Sequence, residues 1–337
     1  MYSFANDYSE GAHPKVLETL VNLKEQNKGY GLDKHSKNVQ TLIRKLTKNN
    51  RLHTHILPGG TIVNLTFIAA VLRPFEAVIS PDTGHIAVHE TGAIEATGHK
   101  IIACPSTNGK LDAETIEKVV LEHTDEHMVK PKMVFISSAT EVGTIYYKDE
   151  LIKIREICDK YQLLLYLDGA RLANALVAED NDLDLVTIAE LCDAFYLGGT
   201  KNGLLFGEIL VIINPKLNED FRFMIKQRGG LSAKGFVAAV QFEAFLKDDL
   251  YLDLARNANE MAQKLQKGLL AKNLEMAYPS STNQIFPILS DELIAKLQKK
   301  FLFNIQEKKP NNKHVVRFVC SWATKEKAVE ALLKEIS

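Results

Sequence analysis

Two charged residues in this sequence stand where apolar runs end, and together they could carry out covalent chemistry. Lys201 lies in the glycine-rich segment GGTKNG (198–203), directly after an apolar run. Asp168 closes the apolar run LLLYLD (163–168). A lysine amine can form an imine with a carbonyl compound or bind a phosphate. A carboxylate at the end of a buried strand needs a cationic partner. Both residues are therefore candidates for an active site.

The glycine-rich segments do not match the common nucleotide-binding motifs. In the Walker motif GxxxxGK[ST] a glycine precedes the lysine, whereas Lys201 follows Thr200 and precedes Asn202. The Rossmann pattern GxGxxG is absent from this segment and from LPGGTIVN (57–64). Neither pattern predicts a nucleotide site here.

Pyridoxal 5′-phosphate (PLP) is a cofactor whose requirements these residues meet. It needs a lysine for a Schiff base, an acid beside its pyridine nitrogen and a phosphate-binding turn. Lys201 and Asp168 supply the first two. Gly60 and Thr61 begin a predicted helix, whose backbone N–H groups suit a phosphate dianion, and the Thr61 hydroxyl adds a donor. Thr200, beside the lysine, is a second candidate phosphate ligand.

The elements predicted around these residues alternate between strand and helix from about residue 56 to 213. Apolar strand runs cover 77–80, 100–105, 132–138, 163–169, 194–199 and 208–213, and helical patterns cover 61–72, 112–123, 147–162 and 184–192. This alternation predicts an α/β fold with a mainly parallel mixed sheet that is covered on both faces. Ligands bind such sheets at the carboxyl ends of the strands, where Asp168 and Lys201 stand.

A smaller unit is predicted after residue 230. A long helical pattern covers 234–272, strand patterns lie near 284–289, 301–305 and 314–322, and a helical pattern covers 324–336. This organisation predicts a large cofactor-binding domain at 1–240, to whose active site the N-terminal segment contributes. A small α+β domain is predicted at 241–337.

Composition and charge exclude several functional classes. Lys and Arg number 41 against 42 Asp and Glu, so no basic surface for nucleic acid is predicted. No signal-peptide pattern or apolar run of about 20 residues is present, which predicts a cytoplasmic protein without a membrane segment. The four widely spaced cysteines are predicted to be reduced and mostly buried. His123 and His127 have the i,i+4 spacing of metal ligands without a further ligand, so no metal site is predicted.

Motifs along nearly the whole chain resemble those of one enzyme family. The segments are NDYSEGAHP (6–14), YGLD (30–33), PGGTIVN (58–64), GHIAVHETGAIEATGHK (84–100), LDGARLANAL (167–176), GGTKNG (198–203) and VVRFVCSWAT (315–324). With these the chain resembles the low-specificity L-threonine aldolases of the β-eliminating lyase group, which are fold-type-I PLP enzymes. LDGARL is the most specific of the motifs.

The resemblance implies roles for further residues. His85 matches the histidine that stacks on the pyridine ring and lies near the substrate hydroxyl, and His127 loosely resembles a second catalytic histidine. Arg171 and Arg317 match the ligands of the substrate carboxylate, and Arg171 is also expected at the cofactor. Asn6 stands where the family has a serine that binds the same carboxylate.

The chain also departs from the family pattern. The phosphate turn reads Gly-Gly-Thr (59–61) instead of Ser-Gly-Thr, so one hydroxyl ligand is missing. An arginine-rich segment of the family, which reaches the phosphate of a neighbouring subunit, appears here as IKQRGGLSAKG (225–235). Lys226, Arg228 or Lys234 could take that role. The resemblance thereby implies a homo-oligomer, a dimer or a tetramer, with shared active sites.

The activity implied is a PLP-dependent lyase reaction. L-Threonine or L-allo-threonine would be cleaved between Cα and Cβ to glycine and acetaldehyde. Two alternatives within fold type I are a β-eliminating lyase and an aminotransferase, since the fold supports all three reactions. A third alternative is a PLP-binding protein without catalytic turnover.

Overall fold

A computed structural model describes residues 1–336 of the chain, and Ser337, the last residue of the predicted small domain, lies outside them. The strands in chain order are β1 (Tyr2–Ser3), β2 (His53–Leu57), β3 (Glu76–Pro81), β4 (Ile101–Cys104), β5 (Lys130–Ser137), β6 (Leu164–Asp168), β7 (Ala194–Gly198), β8 (Glu208–Ile212), β9 (Gln284–Ile285), β10 (Ile288–Ser290), β11 (Phe301–Leu302), β12 (Asn304–Lys309) and β13 (Lys313–Val319).

The α-helices in chain order are α1 (Pro14–Val21), α2 (Lys34–Leu46), α3 (Gly60–Val71), α4 (His85–Val88), α5 (Ala113–Glu122), α6 (Lys148–Lys160), α7 (Leu172–Leu176), α8 (Leu185–Leu191), α9 (Phe221–Gln227), α10 (Phe236–Phe245), α11 (Leu250–Leu270), α12 (Asp291–Leu297) and α13 (Glu326–Glu335). Short 3₁₀ turns cover Glu95–Thr97, Thr200–Asn202 and Pro215–Asn218.

A seven-stranded mixed sheet in the order β2-β8-β7-β6-β5-β3-β4 forms the centre of the larger unit. Only β8 runs against its neighbours in this sheet, so the predicted mainly parallel arrangement is confirmed. Successive residues of β6 point to opposite faces: Leu165 and Leu167 join one apolar cluster, and Tyr166 joins another. Both faces are thus buried, which explains why the strands read as continuous apolar runs.

The edge strand β2 was not among the sequence-predicted strands. Its sequence HTHIL begins with three polar residues and ends with two apolar ones, and only Leu57 is fully buried. The polar positions are tolerated because β2 pairs on one side only, with β8. His53 and His55 therefore belong to a half-buried edge strand.

The predicted helix over 234–272 is two helices, α10 and α11. The break falls at Asp248 and Asp249, which both adopt a left-handed backbone conformation with φ of 54° and 56°. Asp tolerates this region better than most residues. The turn lets α11 run from one core to the other: Leu254 packs in the core of the large sheet, and Leu265 packs in that of the smaller unit.

The smaller unit is built around β13, which pairs with β9, β10 and β12. The N-terminal strand β1 pairs in parallel with β11, and Phe4 is fully buried in the same core as Phe318. The first residues of the chain are therefore anchored to the C-terminal elements. The division at residue 240 stays a prediction.

The remaining sequence expectations concern cysteines and membrane segments. All four cysteines are free and buried, as predicted. Among residues 1–336 no helix combines the length and the apolar character needed to cross a bilayer.

Candidate active site

The turn that carries Lys201 lies at the carboxyl end of β7, next to the end of β6. Gly198 is required there, because a Cβ atom at this position would collide with the carbonyl oxygen of Ala170. The chain then enters the 3₁₀ turn Thr200–Asn202 and leaves it through Gly203 at φ +100°. Within residues 1–336 the Lys201 amine forms no hydrogen bond or ion pair. It is thus available for a covalent partner.

Asp168 ends β6, and two donors hold its carboxylate. Its carboxylate accepts hydrogen bonds from the side-chain amide of Asn64 at 3.1 Å and from the backbone N–H of Ala170 at 3.0 Å. The Tyr196 hydroxyl lies close enough to this carboxylate for Asp168 to contribute to the raised pKa of the phenol. The residue is only 3% exposed, so its charge is fixed in place in a nearly dry environment. Such a carboxylate suits the protonated nitrogen of a pyridine ring.

Asn64 links Asp168 to a second buried carboxylate, Glu90. The same Asn64 amide donates to Glu90 Oε1 at 2.7 Å, and its carbonyl oxygen accepts from the Tyr166 hydroxyl at 2.9 Å. Glu90 Oε1 also accepts from Nδ1 of His85 at 2.8 Å. A continuous chain of hydrogen bonds therefore joins His85 to Asp168. Glu90 and Asn64 were not predicted as site residues, although both lie inside the family motifs at 84–100 and 58–64.

His85 begins the short helix α4, at the carboxyl end of β3, and its side chain is 26% exposed. Burial alone would lower the pKa of this imidazole, but the hydrogen bond to Glu90 and the charges of Glu141 and Asp168 outweigh it and raise the pKa. With Nδ1–H directed at Glu90, Nε2 is left to accept a proton. This arrangement is that of a general base oriented by a carboxylate.

The amino end of α3 provides an anion site close to Asp168. Gly59, the residue before the helix, has no side-chain cap, so the first N–H groups have no side-chain acceptor. A Cβ on Gly60 would come within 3.0 Å of the Tyr196 hydroxyl, which itself contacts Asp168. Gly60 and Thr61 are therefore close to the ring-nitrogen site, at the end of a helix long enough to bind a phosphate.

Arg171 forms a buried ion pair with Asp7. Asp7 was not predicted as a site residue. The Arg171 Nε donates to Asp7 Oδ2 at 2.7 Å and its Nη2 donates to Oδ1 at 3.2 Å. The two residues are 5% and 1% exposed. Asn283 of the smaller unit donates to the same carboxylate at 2.9 Å. Arg171 is thus already paired, and its Nη1 makes no hydrogen bond within the described residues.

Arg317 on β13 has no carboxylate partner among residues 1–336. Its Nη2 reaches only the backbone carbonyl of Ala5, at 3.5 Å, and its buried Nε has no hydrogen-bond acceptor among residues 1–336. Burial and the neighbouring Arg171 charge lower its pKa, although Asp7 and Glu141 act in the opposite direction. A carboxylate bound here would stabilise the charged guanidinium group against burial and against the repulsion from Arg171.

Glu141, another residue missed from sequence, follows β5 at the same edge of the sheet. Burial would raise the pKa of its carboxyl, but Arg171, His85, Lys201 and His89 lower it overall. The site therefore holds an ionised carboxylate that faces several cations.

Three of the residues predicted for the site lie in positions that suit their predicted roles less well. Asn6 uses its side-chain oxygen for local bonds to Tyr8 and Ser9, although it precedes Asp7. The Thr200 hydroxyl accepts from the Gly207 N–H at 3.0 Å. His127 is exposed and lies just before the amino end of β5, at the opposite edge of the sheet from Lys201. The structure does not bring His127 to the other candidates.

No group of three or more His, Cys, Asp or Glu suited to a metal ion occurs among residues 1–336. The donors near Lys201 fit an organic, anionic cofactor and substrate: a buried carboxylate for a ring nitrogen, open backbone amides for a phosphate, and an unpaired arginine for a carboxylate.

Comparison with known proteins agrees with this geometry. The family model described as beta-eliminating lyase matches residues 4–292. A low specificity L-threonine aldolase of Pseudomonas aeruginosa is 32% identical over 344 residues, which cover 99% of this chain and 96% of that protein.

Solved structures extend the comparison to the fold. A threonine aldolase of Leishmania major superposes with a TM-score of 0.98 at 45% identity, covering 100% of this chain and 98% of that one. A Thermus thermophilus aspartate aminotransferase, 14% identical, covers 99% of this chain and 90% of its own length with a TM-score of 0.74, a likeness of fold alone. The predicted fold class and the resemblance read from the motifs are confirmed, and the chain belongs to the β-eliminating lyase family.

Proposed function

We propose that this protein is a PLP-dependent aldolase that cleaves L-threonine or L-allo-threonine to glycine and acetaldehyde. The proposal is carried by two residues at the ends of the neighbouring strands β7 and β6: Lys201, whose amine has no hydrogen bond or ion pair among residues 1–336, and Asp168. A chain of hydrogen bonds leads from Asp168 to His85. The threonine aldolases of Pseudomonas and Leishmania, similar along their whole length, support this reaction within the family.

PLP supplies an electron-accepting ring that takes up the electron pair left on Cα when a bond to that carbon breaks. Lys201 is the residue that would bind the cofactor covalently, and the buried Asp168 would keep a proton on its ring nitrogen. Gly60 and Thr61 at the start of α3 would hold the phosphate. Thr200 is a weaker candidate for the phosphate, because its hydroxyl already accepts from Gly207.

The two arginines divide the binding of the substrate carboxylate. Arg317 offers an unpaired Nε, whereas Arg171 is fixed by Asp7 and offers only its remaining Nη1. Asn6 would assist with its side-chain amide group. An anchored carboxylate restricts rotation about Cα, so the side chain of the substrate can be held where its Cα–Cβ bond breaks most easily.

His85 would take the proton from the β-hydroxyl group at Nε2. Glu90 supports this step, because it accepts the Nδ1–H of His85 at 2.8 Å and stabilises the imidazolium that forms. Glu141 adds a second negative charge near the same ring. The predicted catalytic role of His127 has no support from its position.

We also propose a cytoplasmic homo-oligomer, a tetramer in the first instance. Large apolar side chains are exposed near the site: Leu205 and Phe206 follow the lysine turn at 46% and 36% exposure. A second copy of the chain would cover such a surface.

Among the three basic residues expected near a phosphate, Arg228 is favoured, because its buried Nε has no acceptor within residues 1–336, whereas Lys226 lies over the Tyr30 ring.

The division into a cofactor-binding domain at 1–240 and a small domain at 241–337 belongs to the same proposal. It is supported by the two apolar cores that α11 connects. Arg317 on β13 explains why the site needs both units.

The decisive experiment combines spectroscopy with product analysis. Purified protein loaded with PLP is expected to absorb in the visible and to release aldehyde from L-threonine, L-allo-threonine or phenylserine. Lys201→Ala should lose both properties. A protein that gains no visible band with PLP overturns the cofactor assignment, and full turnover by Lys201→Ala overturns the role of the lysine.

Two product assays separate the alternative reactions, and a third measurement tests the oligomer. Amino-group transfer to added pyruvate would identify an aminotransferase, and keto-acid release without aldehyde would identify a β-eliminating lyase. Light scattering gives the mass of the active form. A fully active monomer would overturn the oligomer.

A further inference from the structure

A buried glutamate lies directly behind the lysine turn. Glu208 is the first residue of β8, where it pairs with Gly198 of β7 on one side and Leu57 of β2 on the other. It is only 5% exposed. Its Oε2 accepts the backbone N–H of Gly199 at 2.8 Å. A carboxylate in such a position is costly to bury, so its retention calls for a role.

The residue before the lysine is tied to the same place. The Thr200 hydroxyl lies close enough to the Glu208 carboxyl to lower its pKa, and its oxygen accepts from the N–H of Gly207, the residue before Glu208, at 3.0 Å. Gly199 and Thr200, the two residues that precede Lys201, are thus both fastened to the start of β8. The lysine side chain itself has no such restraint within the described residues.

We propose that Glu208 is a positioning residue that fixes the backbone of the lysine turn through Gly199 and Thr200, and thereby sets the direction from which the Lys201 amine meets the cofactor. The proposal rests on the proposed function, since it concerns how Lys201 is presented to PLP. It gives the Thr200 hydroxyl a partner inside the protein in place of the phosphate.

The charge of Glu208 responds to pH in the physiological range. Burial raises the pKa of its carboxyl to about 7, against the lowering effect of Thr200, the Gly199 N–H and Lys201, while Asp168 raises it further. The other titratable groups that face it are the phenols of Tyr196 and Tyr251, both neutral at this pH because burial raises the pKa of each. Above neutral pH the ionised carboxylate therefore holds the turn most firmly.

Three variants test this restraint. Glu208→Ala removes the shorter of the two hydrogen bonds of the Gly199 N–H and leaves the one to the Gly207 carbonyl oxygen at 3.1 Å. Glu208→Gln keeps an acceptor oxygen without the charge, and Thr200→Val removes the hydroxyl. Glu76→Gln is the matched control, because Glu76 is also buried and accepts a backbone N–H, that of Arg73 at 2.8 Å, at the amino end of β3 away from the site.

The first readout is amide hydrogen exchange of the cofactor-free protein at Gly199. In Glu208→Ala we expect the Gly199 amide to exchange roughly 10-fold faster, because one hydrogen bond to a charged group is lost. In the wild type, protection corrected for the intrinsic rate should increase as pH rises through 7. Glu208→Gln should keep partial protection that does not vary with pH, and Glu76→Gln should match the wild type.

The second readout is the visible absorbance of PLP-loaded protein between pH 5.5 and 9. The wild-type band should change near neutral pH, and this change should vanish in Glu208→Gln. The proposal is overturned if Glu208→Gln and Glu208→Ala both keep the wild-type exchange rate at Gly199 and the wild-type pH profile of the PLP absorbance. A wild type that never acquires a PLP band overturns the proposed function instead, and the exchange data still test the hydrogen bonds of Glu208.

Discussion

His85 donates its Nδ1–H to Glu90 Oε1 at 2.8 Å, and Glu90 is the only link between this histidine and the Asn64–Asp168 pair within the described residues. The pairing selects the tautomer in which Nε2 is free to accept a proton. One carboxylate thus connects the proposed base with the residue that would hold the ring nitrogen of the cofactor.

Replacing Glu90 by Gln should reduce aldolase activity without abolishing cofactor binding. The amide cannot stabilise an imidazolium, so kcat/KM should fall roughly 10–100-fold, the effect of losing a hydrogen bond between charged groups. Steady-state aldehyde release measures the change, and the visible PLP band shows that the site is still loaded. Glu76→Gln serves as the control. Unchanged kcat/KM in Glu90→Gln would remove Glu90 from the mechanism.

The pH profile of kcat/KM should carry the signature of the same pair. A base must be deprotonated to act, and Glu90 and the neighbouring charges raise the pKa of His85 above its ordinary value of 6.5 despite burial. Activity should therefore rise with pH along a limb whose midpoint lies above 6.5 in the wild type. The midpoint should move to lower pH in Glu90→Gln. An identical limb in both proteins would show that another group is titrating.

Arg317 should matter for substrate affinity more than for stability. Its Nε has no acceptor in the described chain, so Arg317→Ala removes little that stabilises the fold. The KM for L-threonine should rise roughly 10–100-fold, because a charge-assisted hydrogen bond to the substrate carboxylate is lost. Steady-state kinetics and thermal unfolding of the same preparation separate the two effects. A normal KM in Arg317→Ala would assign the carboxylate site elsewhere.

Local patterns in the sequence predicted six of the seven strands of the central sheet and the positions of Asp168 and Lys201 at its edge. Asp168 and Lys201 each follow an apolar strand, and the carboxyl ends of parallel strands meet at one edge of the sheet. The supporting residues depend on contacts across the chain: Asn64 lies 104 positions from Asp168, inside a helix that reads as apolar. No spacing rule connects such residues before the fold is known.

The same limit explains His127 and Asp7. The match of His127 rested on a short polar segment, and such segments occur at either end of a strand. Asp7 reads as one more polar residue of an N-terminal segment, because its partner Arg171 is 164 positions away. The pairing of β1 with β11 and hydrogen bonds such as that from the Val319 N–H to the Phe4 carbonyl oxygen anchor that segment to the smaller unit.

Replacing Asp7 by Asn should destabilise the protein more than any other change discussed. Asp7 and Arg171 are both buried, and a buried arginine left without its carboxylate costs roughly 3–5 kcal/mol. Arg171 and Lys201 lower the pKa of Asp7 below its ordinary value of 3.8 despite burial, so the ionised form stabilises the native state above pH 3.8. That contribution is lost as pH falls through the folded pKa. Urea unfolding at pH 7 should therefore show a large loss of unfolding free energy in Asp7→Asn. The difference in unfolding free energy between the variant and the wild type should become smaller at acid pH. A variant as stable as the wild type at pH 7 would mean that Arg171 has found another anion, for which Glu141 is the nearest candidate.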